Sequence, residues 1–423
     1  MDTLLLVLGI AAALLVLNVY RPRQSLGISA VSFFLGWLVA ELAFFGLLIG
    51  ALVIGWALGA GPDAVRAQVG VGLLAASWTA LLVYTIQAMR GAHVFERAVT
   101  EAFGESFAKH MAKRREAGLD EAPSWQRMLR PFSPHRATVE AIRGIEYKVA
   151  DGVSLQLDIY RHGDAPEGCP VLINIHGGGW TQNWGDRTQQ ALPLMNHLAE
   201  HGWVCVTIAY RLSPTFTFPD HLHDCKSALV WVRQHIAQYG GDPDFVVVTG
   251  GSAGGHLALM MALTQNDPEY QKDHPGADTS VQGCVPVYAC YDFLDREGHQ
   301  PNAGMERHLR TVMKLDRSEH EEAYRLASPV HRVHEDAPPM LVVQGELDTL
   351  IPVASARHFV SELRAVSREP VAYAELPLTQ HAFEIFASPH TEHHIHGVEQ
   401  FLHFLYRNRA GLGAATARTE STS

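Results

Sequence analysis

The chain has 423 residues, enough for a catalytic domain together with an accessory region. Charged residues make up 18% of it and are scarce before residue 90, so the N-terminal part differs in kind from the ordinary globular remainder. The formal net charge of -11 gives no indication of a nucleic-acid partner, because proteins of that class present a basic face.

Three apolar runs precede residue 91, at positions 4–20, 28–60 and 71–89. A membrane-crossing helix needs about 20 apolar residues, so we predict three membrane-spanning helices within residues 1–90. The middle run is long for one crossing and must tilt, protrude or bend. Because no polar turn divides it, we predict one long helix. Arg21-Pro22-Arg23 follows the first run and favours an uncleaved anchor over a signal peptide.

Basic residues near the ends of these runs predict the orientation. Arg21 and Arg23 follow the first run, and further basic residues follow the third, whereas the loop between the second and third runs has only Arg66. Three crossings therefore place the N-terminus outside and the large C-terminal domain in the cytoplasm, and a fourth crossing would reverse this. Glu41, inside the second run, is interpreted as a single acid that is neutralised or faces a neighbouring helix, in preference to part of a transport pathway or a partner site.

Residues 91–138 contain an amphipathic pattern over 92–116 and then a proline-bearing linker. We expect this helix to lie on the membrane or to cover the mouth of an active site. At the other end of the chain, the small and polar residues 409–423 predict a disordered tail.

Residues 139–408 have the pattern of an α/β domain. Alternating apolar residues around Asp151-Gly152 predict a β-hairpin. Short apolar strands then alternate with helices, which predicts a mostly parallel sheet covered on both faces. The predicted strands are 171–175, 204–209, 245–249, 285–290, 340–344 and 371–376. The polar segment 292–335 has no strand pattern and is predicted to be an insertion over the sheet.

The chain has 5 cysteines and no Cys-x-x-Cys pair. Several lie in apolar runs, so we interpret them as reduced core residues, and we predict neither a metal site nor a cofactor.

The sequence Gly250-Gly251-Ser252-Ala253-Gly254-Gly255 follows a predicted strand and precedes an apolar helix. This context is that of a nucleophile elbow, in which glycines on either side permit a tight turn that exposes the serine. A phosphate-binding loop is the alternative, but the lysine that such a loop requires is absent. We therefore predict that Ser252 is a catalytic nucleophile.

His176-Gly177-Gly178-Gly179 follows another predicted strand. Consecutive glycines let backbone N–H groups approach a ligand closely. Together with the N–H of Ala253, those of Gly177 and Gly178 are candidates for an oxyanion hole.

A serine nucleophile needs a base. In α/β domains with a nucleophile elbow, the catalytic residues follow one another along the chain in the order serine, acid, histidine. Asp348 and His381 each follow a predicted strand, at the sheet edge where active sites of such folds lie. Glu346 is the rival acid, and Asp348 is favoured because it lies on the loop before Ile351-Pro352, where the next predicted helix starts. A second histidine group near Glu392 could suggest a metal site, but we interpret it as a solvated helix face. It comprises His390, His393, His394 and His396.

These segments together resemble the hormone-sensitive-lipase-like group of bacterial esterases, over roughly residues 140–406. The resemblance extends through Tyr210-Arg211-Leu212-Ser213-Pro214 and Gly241-Asp242-Pro243 to the elbow. It implies an α/β-hydrolase fold with a helical cap formed by 92–135 and 292–335. It also implies a triad of Ser252, Asp348 and His381. Gly251 is a departure, since much of the wider group has an acidic residue there, although a membrane-anchored actinobacterial subset tolerates glycine.

The predicted function is that of a serine carboxylesterase or lipase-like hydrolase, acting on a small-molecule or lipid ester through an acyl-enzyme on Ser252. An amidase, lactonase or deacetylase with the same triad is the nearest alternative. A non-catalytic membrane binding protein, or a transporter or channel fused to a hydrolase, has less support from the residues.

Overall fold

The N-terminal region forms four apolar helices. The computed structural model describes residues 1–23, 29–61, 63–116, 123–164, 166–181, 185–299 and 303–409. The helices are α1 (Asp2–Tyr20), α2 (Ser29–Glu41), α3 (Ala43–Gly59) and α4 (Val65–Ala88). Helices α1 and α4 cross at small residues, since a Cβ atom on Gly9 would lie 2.4 Å from the Gly70 carbonyl oxygen. Such close backbone approach is typical of helices that pack within a membrane.

The prediction of one long helix over residues 28–60 is wrong, because the chain bends by 82° between α2 and α3. Leu42, at the break, has φ -103° and ψ 26°, outside the helical range. The preceding residue, Glu41, is turned into the protein, where it pairs with His390. By length and composition, α1 and the stretch Val65–Phe103 can each cross a membrane, and the bent pair adds a third crossing if it counts as one.

The amphipathic segment after α4 is divided into α5 (Ala92–Phe103) and α6 (Glu105–Glu116), and α7 (Trp125–Met128) follows. The predicted single helix is broken at Gly104, whose φ of 65° a residue with a side chain adopts only with strain. The apolar side chains Val94, Phe95, Phe107 and Met111 are buried in a cluster with residues of the last helix, so this segment covers the sheet.

An 8-stranded sheet forms the centre of the C-terminal domain, in the order β1-β2-β4-β3-β5-β6-β7-β8. The β1–β2 and β2–β4 pairs are antiparallel and all later neighbours are parallel. The predicted hairpin and all the predicted strands are confirmed, with shifts at their ends. The strands are β1 (Val139–Ala150), β2 (Val153–His162), β3 (Cys169–Ile175), β4 (Val204–Ile208), β5 (Gly241–Gly251), β6 (Gly283–Val287), β7 (Met340–Gly345) and β8 (Val371–Leu376).

Helices cover both faces of the sheet, and each face has its own apolar cluster. The five cysteines are free and buried. The helices are α8 (Leu192–Glu200), α9 (Asp220–His235), α10 (Ala253–Leu263), α11 (Ala303–Met313), α12 (Glu321–Leu326), α13 (Val353–Val366) and α14 (Pro389–Arg407). The predicted tail, from residue 410 onward, lies outside the described residues.

The interpretation of the α14 histidines as a solvated face is wrong, because α14 is covered by α5, α8 and the N-terminal helices. His390 and Glu392 are 3% and 0% exposed, and the other three histidines are at most 9% exposed. Glu392 pairs with Arg127 of α7, and His393 Nε2 lies 3.1 Å from the Ala88 carbonyl oxygen. Burial lowers the pKa of His393 to about 4 and that of His394 to about 3. These polar groups therefore attach the N-terminal region to the sheet domain.

Candidate active site

Ser252 lies at the sharp turn between β5 and α10, with φ 57° and ψ -119°. A non-glycine residue adopts this conformation only when its surroundings enforce it, as functional sites often do. The flanking glycines are required by space. A Cβ atom on Gly254 would lie 1.9 Å from the Ile175 carbonyl oxygen, and one on Gly250 would lie 2.5 Å from the same atom. The turn thus packs directly against the end of β3, and the Ser252 side chain faces the cavity at this edge of the sheet.

Tyr288 explains why glycine precedes the serine. A Cβ atom on Gly251 would lie 2.6 Å from the Tyr288 hydroxyl oxygen. Tyr288 is itself fixed, because its N–H donates to the Val343 carbonyl oxygen over 2.7 Å and its ring is buried against His381. The acidic residue of the wider group therefore has no room at position 251.

His381 and Asp348 are hydrogen-bonded, with His381 Nδ1 2.7 Å from Asp348 Oδ2. Asp348 follows β7 and His381 follows β8, and these neighbouring parallel strands bring the two loops together. The Asp348 carboxylate also accepts from the Gln344 side-chain amide and from the N–H groups of Leu350 and Ile351. Its orientation towards the imidazole is therefore fixed by several donors.

The rival acid has another partner. Glu346 Oε2 accepts a hydrogen bond from the Leu378 N–H over 2.9 Å. This contact joins the β7 and β8 loops, and the acid that pairs with His381 is Asp348.

The glycine turn after β3 borders the same cavity, but one of its predicted donors is occupied. The Gly177 N–H donates to Gln190 Oε1 over 2.6 Å. Gly178 has φ 115°, which only glycine adopts readily, and the Gly179 carbonyl oxygen lies 2.8 Å from His308 Nε2. His176 stacks on Tyr210, and burial lowers its pKa to about 4, so it is neutral at pH 7.

The cavity has a volume of about 570 Å³ and is mainly apolar. Ser252, His381 and the glycine turn are among its lining residues. Met305 and His308 reach it from the predicted insertion 292–335, whereas no described residue of 92–135 lines it. Helix α2, in the N-terminal region, contributes another wall of the cavity. The lining residues are Phe33, Phe34, Trp37, Gly177–Trp180, Gly185, Gln189, Gln190, Ser252, Tyr288, Cys290, Met305, His308, Leu350, Ile351, His381, Ala382 and Ile385.

Sequence reasoning missed Tyr288, Gln190 and the α2 aromatic residues. Tyr288 directly follows β6 at the carboxyl edge of the sheet, and this position is a signal that could have found it. The α2 residues have no such signal, because an aromatic residue within an apolar run is typical of any membrane helix.

One group of side chains has the spacing of a metal site. Candidate ligand atoms of His197, His201 and Glu399 lie within 4.8 Å of one another. The Glu399 carboxylate, however, already pairs with His197 and with the Arg114 guanidinium, and Arg136 contacts His197 Nδ1. The positive charges of these two guanidinium groups would repel a metal ion at this position. The group of side chains therefore fits a buried ion-pair network better than a metal centre.

Comparisons with known proteins match this chain to ester hydrolases. A family model described as BD-FAE matches residues 157–363. The probable carboxylic ester hydrolase LipM of Mycobacterium tuberculosis is 41% identical over 414 residues, which cover 95% of this chain and 93% of that protein. Esterase LipQ of the same organism is 37% identical, over 81% of this chain and 79% of that protein. The butyrate-bound esterase Est2 of Thermogutta terrifontis has a TM-score of 0.53 and 25% identity, over 64% of this chain and 94% of that chain.

Proposed function

Since this chain belongs to the hormone-sensitive-lipase-like α/β-hydrolase family of carboxylic ester hydrolases, we propose that Ser252, His381 and Asp348 are its catalytic triad. The protein is an enzyme that hydrolyses carboxylic esters. One observation supports the residue assignment above the others. His381, hydrogen-bonded to Asp348, lines the same cavity as a serine held at a strained strand-to-helix turn.

The proposed reaction is acyl transfer in two steps. Ser252 Oγ attacks the ester carbonyl carbon and its proton passes to His381. The carbon–oxygen bond to the alcohol then breaks, and the alcohol leaves with the proton from His381. Water, deprotonated by His381, attacks the acyl-enzyme, and the carboxylic acid is released with Ser252 restored. Asp348 accepts from Nδ1 throughout, so it holds the imidazole in the required tautomer and stabilises the imidazolium.

The proposed oxyanion hole consists of the N–H groups of Gly177, Gly178 and Ala253. Ala253 is the first residue of α10, so its N–H lies at the positive end of that helix. The Gly177 N–H becomes available to the substrate when the Gln190 side chain gives up its hydrogen bond. The carbonyl oxygen of the ester would thus replace Gln190 Oε1 as the acceptor.

We propose further that the N-terminal region is embedded in the cytoplasmic membrane, with the hydrolase domain in the cytoplasm. Helices α1, α3 and α4 would cross the bilayer, and α2 would lie at the cytoplasmic boundary. In this arrangement Arg21 and Arg23 lie on the same side as Arg90, as the distribution of basic residues in membrane proteins requires. Helix α3 spans about 25 Å, close to the bilayer core of about 30 Å.

The experiment is substitution of the nucleophile. Ser252→Ala should lower the rate of ester hydrolysis by about 10⁴-fold or more, because the acyl-enzyme forms on the Ser252 hydroxyl that this change removes. The rate is measured with the full-length protein in detergent, on p-nitrophenyl butyrate, with circular dichroism to verify folding. A folded variant that retains more than a few per cent of the wild-type rate would exclude Ser252 as the nucleophile.

A further inference from the structure

Helix α2 belongs by sequence to the membrane region, yet it forms one wall of the active-site cavity. Phe33, Phe34 and Trp37 line the cavity together with Ser252 and His381. The spacing of these residues places them on one face of the helix. Phe33 is 7% exposed and Phe34 is 37% exposed, so the face runs from the interior of the site towards its opening.

This face is attached to the loop that holds the catalytic histidine. The Trp37 indole N–H donates to the carbonyl oxygen of Ala382 over 2.8 Å, and its ring stacks on Phe386 with centroids 4.8 Å apart. The Phe33 ring meets the edge of the His381 ring at a centroid distance of 6.2 Å. A group bound against Phe33 is therefore next to the position where the ester bond is cleaved.

A buried polar contact holds α2 at this angle. Glu41, the last residue of α2, is 2% exposed and lies 3.2 Å from His390 Nδ1 of α14. Burying a carboxylate is costly unless it is paired, so this contact favours the bent arrangement over a continuous helix. Without the 82° bend, α2 and α3 would form one continuous helix, and α2 would no longer line the cavity.

The opposite face of α2 is apolar and open. Val31 and Leu35, each about 160° around the helix axis from Phe33, are 57% and 43% exposed, and α3 also has exposed leucine and isoleucine side chains. An apolar helix face of this kind is compatible with contact to lipid. Helix α2 thus has the lipid-compatible surface on one side and the catalytic cavity on the other.

We propose that α2 is the substrate-binding wall for the apolar part of a lipophilic ester that partitions into the bilayer, with Phe33 and Phe34 as specificity-determining residues. This inference depends on the proposed function of Ser252 and names the substrate class of that site. The carboxyl edge of the sheet performs the chemistry on the ester group, and α2 selects esters by the length of their apolar chain.

The test compares short and long esters. Phe33→Ala in the full-length protein, reconstituted in phosphatidylcholine vesicles, should lower kcat/KM for p-nitrophenyl decanoate about tenfold more than for p-nitrophenyl acetate, because the longer chain buries more apolar surface against the α2 aromatic residues. Phe34→Ala serves as the second variant, since truncation of a half-exposed side chain leaves no buried cavity. Leu35→Ala, on the opposite face of the same helix, is the matched control and should leave the ratio of the two rates unchanged.

The outcomes separate this inference from the proposed function. If Phe33→Ala and Phe34→Ala lower both rates equally, or lower neither, α2 does not bind the apolar chain. If the Leu35→Ala control lowers the ratio as much as they do, the effect is not specific to the cavity face and the inference is likewise overturned. If Ser252→Ala retains activity, the proposed nucleophile is wrong whatever the chain-length ratio.

Discussion

The catalytic edge of the sheet and the α2 wall enclose the same cavity, but their side chains are fixed in different ways. Ser252 is fixed by its own backbone, because the turn packs so closely that Gly250 and Gly254 admit no side chain. Phe33 is fixed by side-chain contacts between distant parts of the chain, such as the one between Trp37 and Ala382. Changes to the first region should therefore abolish the reaction, whereas changes to the second should alter which ester reacts.

A loss of activity close to that of Ser252→Ala is expected from a change to Asp348, the acid that orients His381. Asp348→Asn preserves the shape of the site but favours the wrong imidazole tautomer, so kcat should fall by about 10⁴-fold. Hydrolysis of p-nitrophenyl acetate measures the loss. Glu346→Gln is the matched control, because it retains an oxygen that can accept from the Leu378 N–H, and it should remain close to wild type. Equal losses in both variants would contradict the assignment of Asp348.

The stability of the sheet domain should decrease with acidity. Burial lowers the pKa of His256 to about 4 and that of His221 to about 3, against 6.5 for an exposed histidine. Below pH 6.5 these histidines bind protons in the unfolded chain but not in the folded chain. Their contribution to stability is therefore fully present above pH 6.5 and is lost as the pH falls towards 4. A shift of this size in the pKa of one histidine corresponds to on the order of 3 kcal/mol in the free energy of unfolding.

The melting temperature of the detergent-solubilised protein, measured from pH 7.5 to pH 5, checks this expectation. His256→Gln keeps a donor for the Ala327 carbonyl oxygen and removes one titrating group, so the temperature should fall less steeply with acidity. A melting temperature that is constant over this range would show that these histidines are not buried in the neutral form.

A smaller effect is expected at the contact that holds α2. Glu41→Ala leaves His390 buried without its carboxylate partner, and the free energy of unfolding should fall by about 1–3 kcal/mol. The rate ratio of decanoate to acetate hydrolysis should also fall, because α2 is no longer held at its angle. Glu105→Ala removes only an exposed pair with Lys109 and should change neither quantity. Unchanged stability in Glu41→Ala would show that the pair does not hold the bend.

The same difference between the two regions explains what the sequence could predict. The elbow, the glycine turn and the order of Ser252, Asp348 and His381 depend on local backbone geometry at strand ends, so short motifs predict them. The break at Leu42 depends on Glu41 meeting His390, far along the chain, and no local pattern encodes that contact. The prediction of a solvated face for the α14 histidines fails for the same reason, because α5 and the N-terminal helices that bury them lie far away in sequence.

Covalent labelling tests the central assignment most directly. An organophosphonate reacts with a serine only when a base and an oxyanion hole activate it, and the modified peptide can be identified by mass spectrometry. The wild-type protein should carry one adduct, on Ser252, and Ser252→Ala should carry none. An adduct on another residue, or equal labelling of the Ser252→Ala variant, would contradict the account.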